Sequence, residues 1–285
     1  MSKKPNNRLL TVIDSQQLTP NMQRISFQAD DLSSFPADAE GGYIKLLFTE
    51  NGDTDISQLS PNIRPKMRTY TIRNLRQALN QLDVDFVRHE HCVINQTAID
   101  DTAIDCTATD NTAAHSHNGG FAAAWSQSAR TGDTISIAGP GEIKPINLNV
   151  DWYFLVADMT ALPALAAQLN KLPQAAKGYA VIEINHTDDK QSLIKPAGIE
   201  VVWIVANSAE TDLASQVQSL TWLSGAASVW CACEFSTMRA LRQYFRNEKA
   251  VDKDNLYISS YWKSGCTEDG HKIAKRNDNE AQLSG

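Results

Sequence analysis

The chain of 285 residues carries 26 Lys and Arg against 33 Asp and Glu, which gives a formal net charge of −7. This acidic balance disfavours a general nucleic-acid-binding protein, because such proteins gain affinity by neutralising phosphates. The length suits two domains, and the 42% hydrophobic and 21% charged content is typical of a soluble globular protein.

The N-terminal segment predicts a cytoplasmic location. Residues 1–7 are polar and no apolar core follows them, so we expect neither a secretory signal nor membrane insertion. The chain has five cysteines, and an odd number without an export signal favours reduced thiols over a disulfide framework.

Short strands separated by turns are predicted in the first half of the chain. Apolar and polar residues alternate there, and Gly and Pro clusters separate the runs. This pattern indicates an antiparallel β-barrel over residues 1–148. The predicted strands are 22–28, 43–48, 68–73, 82–86 and 134–138.

The strand at 68–73 contains the pattern Arg-x-Tyr-Thr-x-Arg. Alternate side chains of a strand face opposite ways, so Arg68 and Tyr70 are expected to share a face. An aromatic ring and a hydroxyl suit an isoalloxazine, and a guanidinium neutralises a phosphate or an anionic flavin ring. The pattern therefore predicts flavin binding; the alternative is an ordinary barrel strand with charged residues on its wet face.

A run of small and polar residues interrupts the barrel pattern between 91 and 118. Its few apolar groups do not offset the entropy of ordering it, so we expect a mobile insertion. Metal-ligating residue types occur in and beside it, but without a fixed tetrahedral spacing, and no metal site is predicted. These residues are His89, His91, Cys92, His115 and His117.

Glycine and small residues follow the insertion at 119–125 and predict a turn that leads into a helix. Backbone N–H groups at such a start, helped by the helix dipole, bind anionic oxygens. A pyrophosphate is therefore one candidate ligand. A glycine turn before an ordinary amphipathic helix is the other interpretation.

Strands alternate with helices after residue 148, which predicts a parallel-sheet, nucleotide-binding-like domain over 149–285. The apolar run 152–157 is typical of a strand buried on both faces, and Pro163 suits the first turn of the next helix. The basic tail at 271–276 is expected to be disordered or to form a short helix across the site. The predicted strands are 152–157, 179–184, 198–206 and 228–233, and the predicted helices are 162–169, 213–220 and 236–245.

Taken together, these segments resemble the siderophore-interacting proteins, the ferric-siderophore reductases of the ferredoxin–NADP reductase superfamily. The resemblance rests on motifs that recur in the same order from residue 8 to residue 269. They are Arg68 to Arg73, Leu82 to Val87, the glycine run ending in Trp125, Gly132-Asp133, Ala138 to Gly141, Ala157 to Ala164, Trp230 to Glu234, Tyr261 to Lys263, and Thr267 to Asp269.

The resemblance implies FAD as cofactor and gives matching positions a role. The 68–73 strand would bind the flavin ring and ribityl chain, residues 120–123 the pyrophosphate, residues 158–161 the adenosine, and an aromatic pair would close the flavin site. For Asp158 the alternative is helix capping, and for Tyr261 and Trp262 it is simple packing. The implied cofactor-binding residues are Arg68, Tyr70, Thr71, Arg73, Asp85, Gly120, Ala122, Ala123, Asp158, Thr160, Ala161, Glu234, Tyr261 and Trp262.

The activity that the resemblance implies is electron transfer from NADH, NADPH or ferredoxin through FAD to a ferric siderophore, with release of Fe²⁺. Fe³⁺ in such a chelate is a hard ion held by anionic oxygens, and one added electron weakens those bonds. No nucleophile or acid–base pair is needed, so no catalytic side chain is assigned. Cations expected at the mouth for an anionic chelate are Lys45, Arg130 and Lys263.

Two other functions stay open at this stage. One is a general flavin or quinone reductase of the same superfamily. The other is a flavin-free carrier that binds iron chelates without reducing them.

One departure from the family pattern concerns the electron donor. Members of the family have a glycine-rich segment before the acidic residue matched to Glu234, where this chain has Cys231-Ala232-Cys233. Glycine would let a dinucleotide approach the backbone, and a cysteine side chain obstructs it. A small iron–sulfur protein is therefore an alternative donor. Glu183, near the end of the second α/β strand, has two interpretations: a carboxylate that accepts from a ribose hydroxyl and mildly favours NADH over NADPH, or a structural residue.

The same cysteines raise the question of zinc, together with Cys266 and His271. We expect Cys231 and Cys233 on opposite faces of their strand, which disfavours a shared metal.

Overall fold

The computed structural model describes residues 7–60, 62–88, 120–141, 144–206 and 212–283. Twelve strands and five α-helices are formed by these residues. The strands are β1 (Arg8–Thr19), β2 (Met22–Ala29), β3 (Tyr43–Phe48), β4 (Lys66–Thr71), β5 (Asn74–Arg76), β6 (Gln81–Val87), β7 (Thr134–Gly141), β8 (Trp152–Ala157), β9 (Lys177–Ile184), β10 (Gly198–Val205), β11 (Ala227–Glu234) and β12 (Leu256–Trp262). The helices are α1 (Gly120–Ser128), α2 (Leu162–Lys171), α3 (Leu213–Ser219), α4 (Phe235–Gln243) and α5 (Glu268–Leu283).

The first sheet is antiparallel and barrel-like, with the strand order β4-β3-β7-β1-β2-β6-β5. Its edge strands β4 and β5 are consecutive in the chain and separated only by Ile72 and Arg73. Residues 66–71 pair with β3, and residues 74–76 pair with β6. The chain itself therefore joins the two edges, and no ladder between β4 and β5 is needed. The predicted antiparallel fold is confirmed.

The core of the barrel follows from alternation along its strands. Every second residue of β2 and β6 is fully buried, for example Phe27 and Phe86. Helix α1 covers the open end of this core, because Trp125 stacks on Phe27 with ring centroids 6.2 Å apart and meets Phe86 edge-on at 6.1 Å. The small residues of α1 allow this close approach.

The second sheet is parallel, with the order β10-β9-β8-β11-β12. All of β8 is buried because helices cover both faces, as its apolar run predicted. Helix α2, which carries Pro163 in its first turn and Lys171 in its last, packs on one face. Helices α3 and α4 pack on the other. The predicted α/β architecture is confirmed.

The prediction for Cys231 and Cys233 was wrong. Residues two apart on a strand share a face. Both thiols are buried in the cluster that faces α3 and α4, while Trp230 and Ala232 point to the opposite face.

Three strands were not predicted, and the tail differs from expectation. β1 and β12 carry many polar or half-exposed residues, and β5 has only three residues, so none gives a clear apolar run. The tail forms the 16-residue helix α5. Its apolar content is low, and it is held by polar contacts instead: Asp278 pairs with Arg242 at 2.7 Å, and Lys275 donates to the Ser260 carbonyl at 3.0 Å.

The predicted boundary at 148/149 falls between β7, which ends at Gly141, and β8, which begins at Trp152. The predicted insertion at 91–118 lies outside the described residues. None of the helices in the described ranges has the length and apolarity needed to cross a lipid bilayer.

A buried carboxylate fastens the two sheets together. Asp189 is fully buried and accepts from Thr19 Oγ1 at 2.7 Å, Asn21 N–H at 2.9 Å and Asn21 Nδ2 at 2.8 Å, all from the β1–β2 turn. It also accepts from His186 N–H at 2.9 Å within its own loop. Since buried polar groups must be paired, this carboxylate fixes the turn against the α/β domain.

We predict that Asp189→Ala lowers the free energy of unfolding by about 3 kcal/mol, because buried donors are left without their acceptor. Urea unfolding measures the change. Asp188→Ala is the matched control, since its side chain is 73% exposed. A loss for Asp189→Ala no larger than for the control would contradict the role assigned to this carboxylate.

Candidate functional site

The free edge of β4 is the centre of the candidate site. In the β3–β4 ladder Thr69 pairs with Lys45 and Thr71 with Tyr43. Thr69 N–H donates away from β3, to Glu268 Oε2 at 3.0 Å, so by alternation Thr71 N–H points to the same outer edge. Two residues further on, Arg73 N–H donates to the Asp83 carbonyl of β6 at 2.8 Å. Thr71 N–H thus lies at this edge between Thr69 N–H, which donates to Glu268, and Arg73 N–H, which donates to Asp83.

The side chains of Arg68 and Tyr70 lie on one face of β4, as predicted, and point towards α1 and the barrel. The Arg68 guanidinium lies over the Phe121 ring, 5.5 Å from its centroid. The Tyr70 ring lies 4.4 Å from that of Phe86. Burial raises the pKa of the Tyr70 phenol well above its ordinary value of 10, so it stays a neutral hydrogen-bonding group.

Arg73 and Asp85 form a polar cluster behind the strand. Asp85 is buried and receives Arg24 Nε at 2.6 Å and Nη2 at 2.8 Å. Arg73 Nε lies 3.7 Å from the same carboxylate. Burial lowers the pKa of Arg73, and Asp85 opposes that shift. Since Asp85 already serves two arginines, its predicted contact with the cofactor stays a prediction.

The start of α1 suits a pyrophosphate. Gly120 has φ of +69° and opens the helix, and a side chain there would meet no described atom within 4 Å. The first-turn N–H groups of a helix have no intrahelical acceptor. Ala122 and Ala123 follow in the first turn and are buried, so their methyl groups add no bulk at the surface. With Arg68 over the neighbouring Phe121, the donors and the cation fit the diphosphate of FAD.

A cleft at the carboxyl ends of the parallel strands lies against the barrel. Its volume is about 120 Å³, and it is open to solvent on one side. Val87 is its contribution from the barrel, one residue beyond the Phe86 that contacts Tyr70. The lining residues are Val87, Asp158, Met159, Thr160, Glu183, Asn185, Leu213, Cys233, Glu234, Thr237 and Trp262.

Asp158 and Trp262 connect the cleft to the C-terminal strand. Asp158 Oδ1 accepts from Thr160 N–H at 2.9 Å and from Thr160 Oγ1 at 2.6 Å, and Oδ2 accepts from Trp262 Nε1 at 2.7 Å. Burial raises the pKa of Asp158 despite these donors. Asp158 therefore shapes the turn before α2, where Ala161 N–H also reaches it at 3.2 Å. The indole of Trp262 is 38% exposed and remains available to a ligand.

Two further carboxylates stand in the cleft. Glu183 is the penultimate residue of β9, and burial, reinforced by Asp158 and Asp212, raises its pKa from 4.5 to about 7. Glu234 ends β11 and caps α4, accepting from Thr237 N–H at 3.3 Å and from Ser264 N–H at 3.1 Å. Glu234 is thus held by backbone donors, whereas burial and neighbouring carboxylates disfavour the charged form of Glu183.

Tyr261 contributes packing at the rim of this region. Burial raises the pKa of its phenol well above the ordinary value, and the phenol hydrogen-bonds to Tyr257. The Tyr257 ring stacks on Trp230 at 5.6 Å. Tyr261 is therefore fixed by its neighbours, while Trp262 points into the cleft.

The structure brings two of the three predicted substrate cations near the site. Lys45 projects from β3 opposite Thr69. Lys263 follows Trp262, with its Nζ 5.9 Å from the centre of the Phe235 ring and 3.5 Å from Cys266 Sγ. Arg130 follows the C-terminal end of α1, and its contact with a chelate stays a prediction.

Glu268 was missed as a site residue. Its partner Thr69 is 199 positions away in the chain, and no local pattern signals such a contact. Within the described ranges no group of three or more His, Cys, Asp or Glu side chains is placed to hold a metal ion. The loop residues His89, His91, Cys92, His115 and His117 lie outside those ranges.

A barrel-like sheet with an arginine–tyrosine–threonine edge, followed by a parallel sheet with a cleft at its carboxyl ends, defines a two-domain flavin-dependent oxidoreductase. Comparison with known proteins gives the family. The model of the siderophore-interacting FAD-binding domain matches residues 11–143, and that of the siderophore-interacting protein matches residues 150–265.

The chain belongs to the siderophore-interacting protein family. The ferric vibriobactin reductase ViuB of Vibrio cholerae is 30% identical over 277 residues, which cover 93% of this chain and 92% of ViuB. The NADPH-dependent ferric-chelate reductase of Escherichia coli is 22% identical, over 90% of this chain and 92% of that protein. The crystal structure of the siderophore-interacting protein SipS from Aeromonas hydrophila has a TM-score of 0.77 at 28% identity, covering 97% of this chain and 99% of SipS. The predicted family and the predicted cofactor, FAD, are confirmed.

The raised pKa of Glu183 predicts a pH-dependent stability. Between pH 4.5 and about 7 the folded state binds more protons at this carboxyl than the unfolded chain does. The contribution of this carboxyl to the free energy of unfolding is thus fully present below pH 4.5 and is lost as the pH rises through 7. Glu183→Gln should therefore gain about 1 to 2 kcal/mol relative to the wild type between pH 5 and pH 8.

Urea unfolding of both proteins at the two pH values tests this. Glu200→Gln, which removes an exposed carboxylate from β10, is the control. The same difference between Glu183→Gln and wild type at both pH values would show that the carboxyl titrates normally.

Proposed function

We propose that this protein is an FAD-dependent ferric-siderophore reductase, which passes electrons from a nicotinamide nucleotide to a bound ferric siderophore and releases Fe²⁺ for assimilation. The observation that carries the proposal is the position of the Arg68–Arg73 stretch. It places Thr71 N–H at the outer edge of β4, and Arg68 of the same stretch lies over Phe121 in the first turn of α1.

The residues assigned to FAD divide by the part of the cofactor they suit. Thr71 N–H and the Tyr70 ring suit the flavin ring, and Arg68 with the α1 start suits the pyrophosphate. Arg73 supplies a positive charge behind the ring. Asp158 with Thr160 and Ala161 is assigned to the adenosine, and Glu234, Tyr261 and Trp262 border the space between the domains.

Bound FAD supplies the redox chemistry, since it accepts a hydride and gives up electrons singly. The chain's own residues bind and orient FAD and exclude water from it. Tyr70 and Phe86 provide an apolar wall, and the neutral phenol of Tyr70 adds no charge to it. A ferric chelate needs only an electron for its iron–oxygen bonds to weaken, so no side chain is assigned a proton-transfer role.

The cleft supports NADH as the donor over NADPH. Its described lining contains Asp158, Glu183 and Glu234 and neither Lys nor Arg. A carboxylate at the end of the second strand accepts from a ribose hydroxyl, whereas a 2′-phosphate requires a cation. Reduced ferredoxin is the alternative donor, because Cys233 occupies a position where a dinucleotide would need room.

We assign residues 1–148 to an FAD-binding β-barrel and residues 149–285 to an NAD(P)-binding-like domain, whose Asp158–Ala161 turn borders the adenosine of FAD. Lys45, Lys263 and Arg130 are proposed to attract an anionic chelate. The reaction is proposed to take place in the cytoplasm, where thiols such as Cys231, Cys233 and Cys266 stay reduced.

Substitutions in strand β4 test the cofactor site. We expect Arg68→Ala with Tyr70→Ala to weaken FAD binding at least a hundredfold, because a charged contact and an aromatic wall are both lost. The visible spectrum of the purified protein and titration with FAD measure this. Arg64→Ala, an exposed arginine outside the strand, is the control. A folded double variant that keeps stoichiometric FAD would remove the basis of the assignment.

Anaerobic turnover tests the reaction and the donor. Ferric siderophores are supplied with NADH, NADPH or reduced ferredoxin in parallel, and a colorimetric Fe²⁺ chelator reports the product. We expect kcat/KM about tenfold higher with NADH than with NADPH, and Glu183→Arg should narrow that ratio. Reduction of quinones but not ferric chelates would favour a general reductase, and a colourless protein that binds ferric siderophore without turnover would favour a carrier.

A further inference from the structure

One side chain of the C-terminal helix α5, that of Glu268, hydrogen-bonds to strand β4 of the other domain. Glu268 Oε2 accepts from Thr69 N–H at 3.0 Å, and Oε1 accepts from Thr69 Oγ1 at 3.0 Å. Both carboxylate oxygens are therefore used on one residue of β4. The side chain is 18% exposed, and Lys272 Nζ lies 3.1 Å from Oε1.

The rest of helix α5 is anchored to the α/β domain. His271 Nε2 lies 2.7 Å from Ser260 Oγ of β12, and both residues are buried. Two turns further along, Asp278 makes two hydrogen bonds to Arg242 of α4, at 2.7 and 2.9 Å. The helix cannot shift without breaking these contacts, so the position of Glu268 is set by the second domain.

The contact matters because of which donor it occupies. Backbone N–H groups two apart on an edge strand point the same way. Glu268 takes the donor of Thr69, and Asp83 of β6 takes that of Arg73 at 2.8 Å. The donor of Thr71 lies between them. Glu268 thus bounds one side of the opening at Thr71, and β6 bounds the other.

The charge of Glu268 also affects the pKa of Tyr70. After burial, this carboxylate is the next cause that raises the pKa of the Tyr70 phenol. Lys272, one turn along α5, partly neutralises the carboxylate. A glutamate rather than a neutral residue is tolerated there because the first turn of a helix favours negative charge.

We propose that Glu268 is a positioning residue of the flavin site, which holds β4 through Thr69 and thereby fixes the opening at Thr71 for the flavin ring. The inference rests on the proposed function, because it takes the flavin to lie on β4. It makes the orientation of the two domains a determinant of flavin binding.

The first test uses the full chain without FAD. Hydrogen–deuterium exchange should be about tenfold faster in Glu268→Ala than in wild type for peptides covering 66–71, since a charge-assisted hydrogen bond to that strand is lost. Peptides covering the β1–β2 hairpin should not change. Unchanged exchange in 66–71 would overturn the proposal.

The second test measures FAD affinity by titration. We expect Glu268→Ala to bind FAD about tenfold more weakly, and Glu268→Gln to restore most of the affinity, because an amide can still accept from Thr69 N–H and donate to Oγ1. Asp269→Ala is the control, since Asp269 shares the first turn and contacts only Lys272. Should Glu268→Ala not fold, Thr69→Val, which removes only the hydroxyl contact, should weaken binding by a smaller factor.

The outcomes separate this inference from the function on which it rests. Wild-type protein that fails to bind FAD defeats the proposed function. Wild-type protein that binds FAD, with Glu268→Ala equal to it in affinity, defeats only the role of Glu268. Equal loss in the Gln and Ala variants would assign the effect to charge and overturn the positioning role.

Discussion

The passage of one extended stretch of chain from one edge of the first sheet to the other is the constraint on which the site depends. Residues 66–71 pair with β3 and residues 74–76 with β6, and only Ile72 and Arg73 lie between them. As an edge strand, β4 has no ladder partner on its outer side. Thr71 N–H lies on that side, and the surrounding side chains suit a flat, electron-accepting ring.

The second domain meets the barrel through apolar packing, in which Met22, Leu18 and Val87 contact its core, and through directed polar contacts. Asp189 ties the β1–β2 turn to the loop after β9, and Glu268 ties β4 to the start of α5. Both are carboxylates that accept backbone and hydroxyl hydrogens from the barrel. Because such bonds are directional, they fix orientation as well as distance. Electron transfer between a donor, a flavin and a metal chelate depends on just this kind of alignment.

The sequence predicted the elements that carry a strong local signal and failed where contacts are distant. The buried run of β8, the alternation in β2 and β6 and the proline-started α2 each follow from spacing alone. The Arg68–Arg73 pattern located the candidate flavin site on β4. The helix α5 has little apolar content, so its stability depends on Arg242, Ser260 and Thr69, which no local pattern connects to it. The pairing of Asp85 with Arg24 was hidden for the same reason, since the two residues belong to different strands.

The central claim is that the flavin ring lies along the outer edge of β4, with its heteroatoms facing Thr71. A crystal structure of the protein with FAD tests this most directly. The account predicts a ring acceptor about 3.0 Å from Thr71 N–H, with Tyr70 against the ring and the diphosphate at the start of α1. A flavin bound away from this edge, or an edge donor at Thr71 occupied by the protein itself, would contradict it.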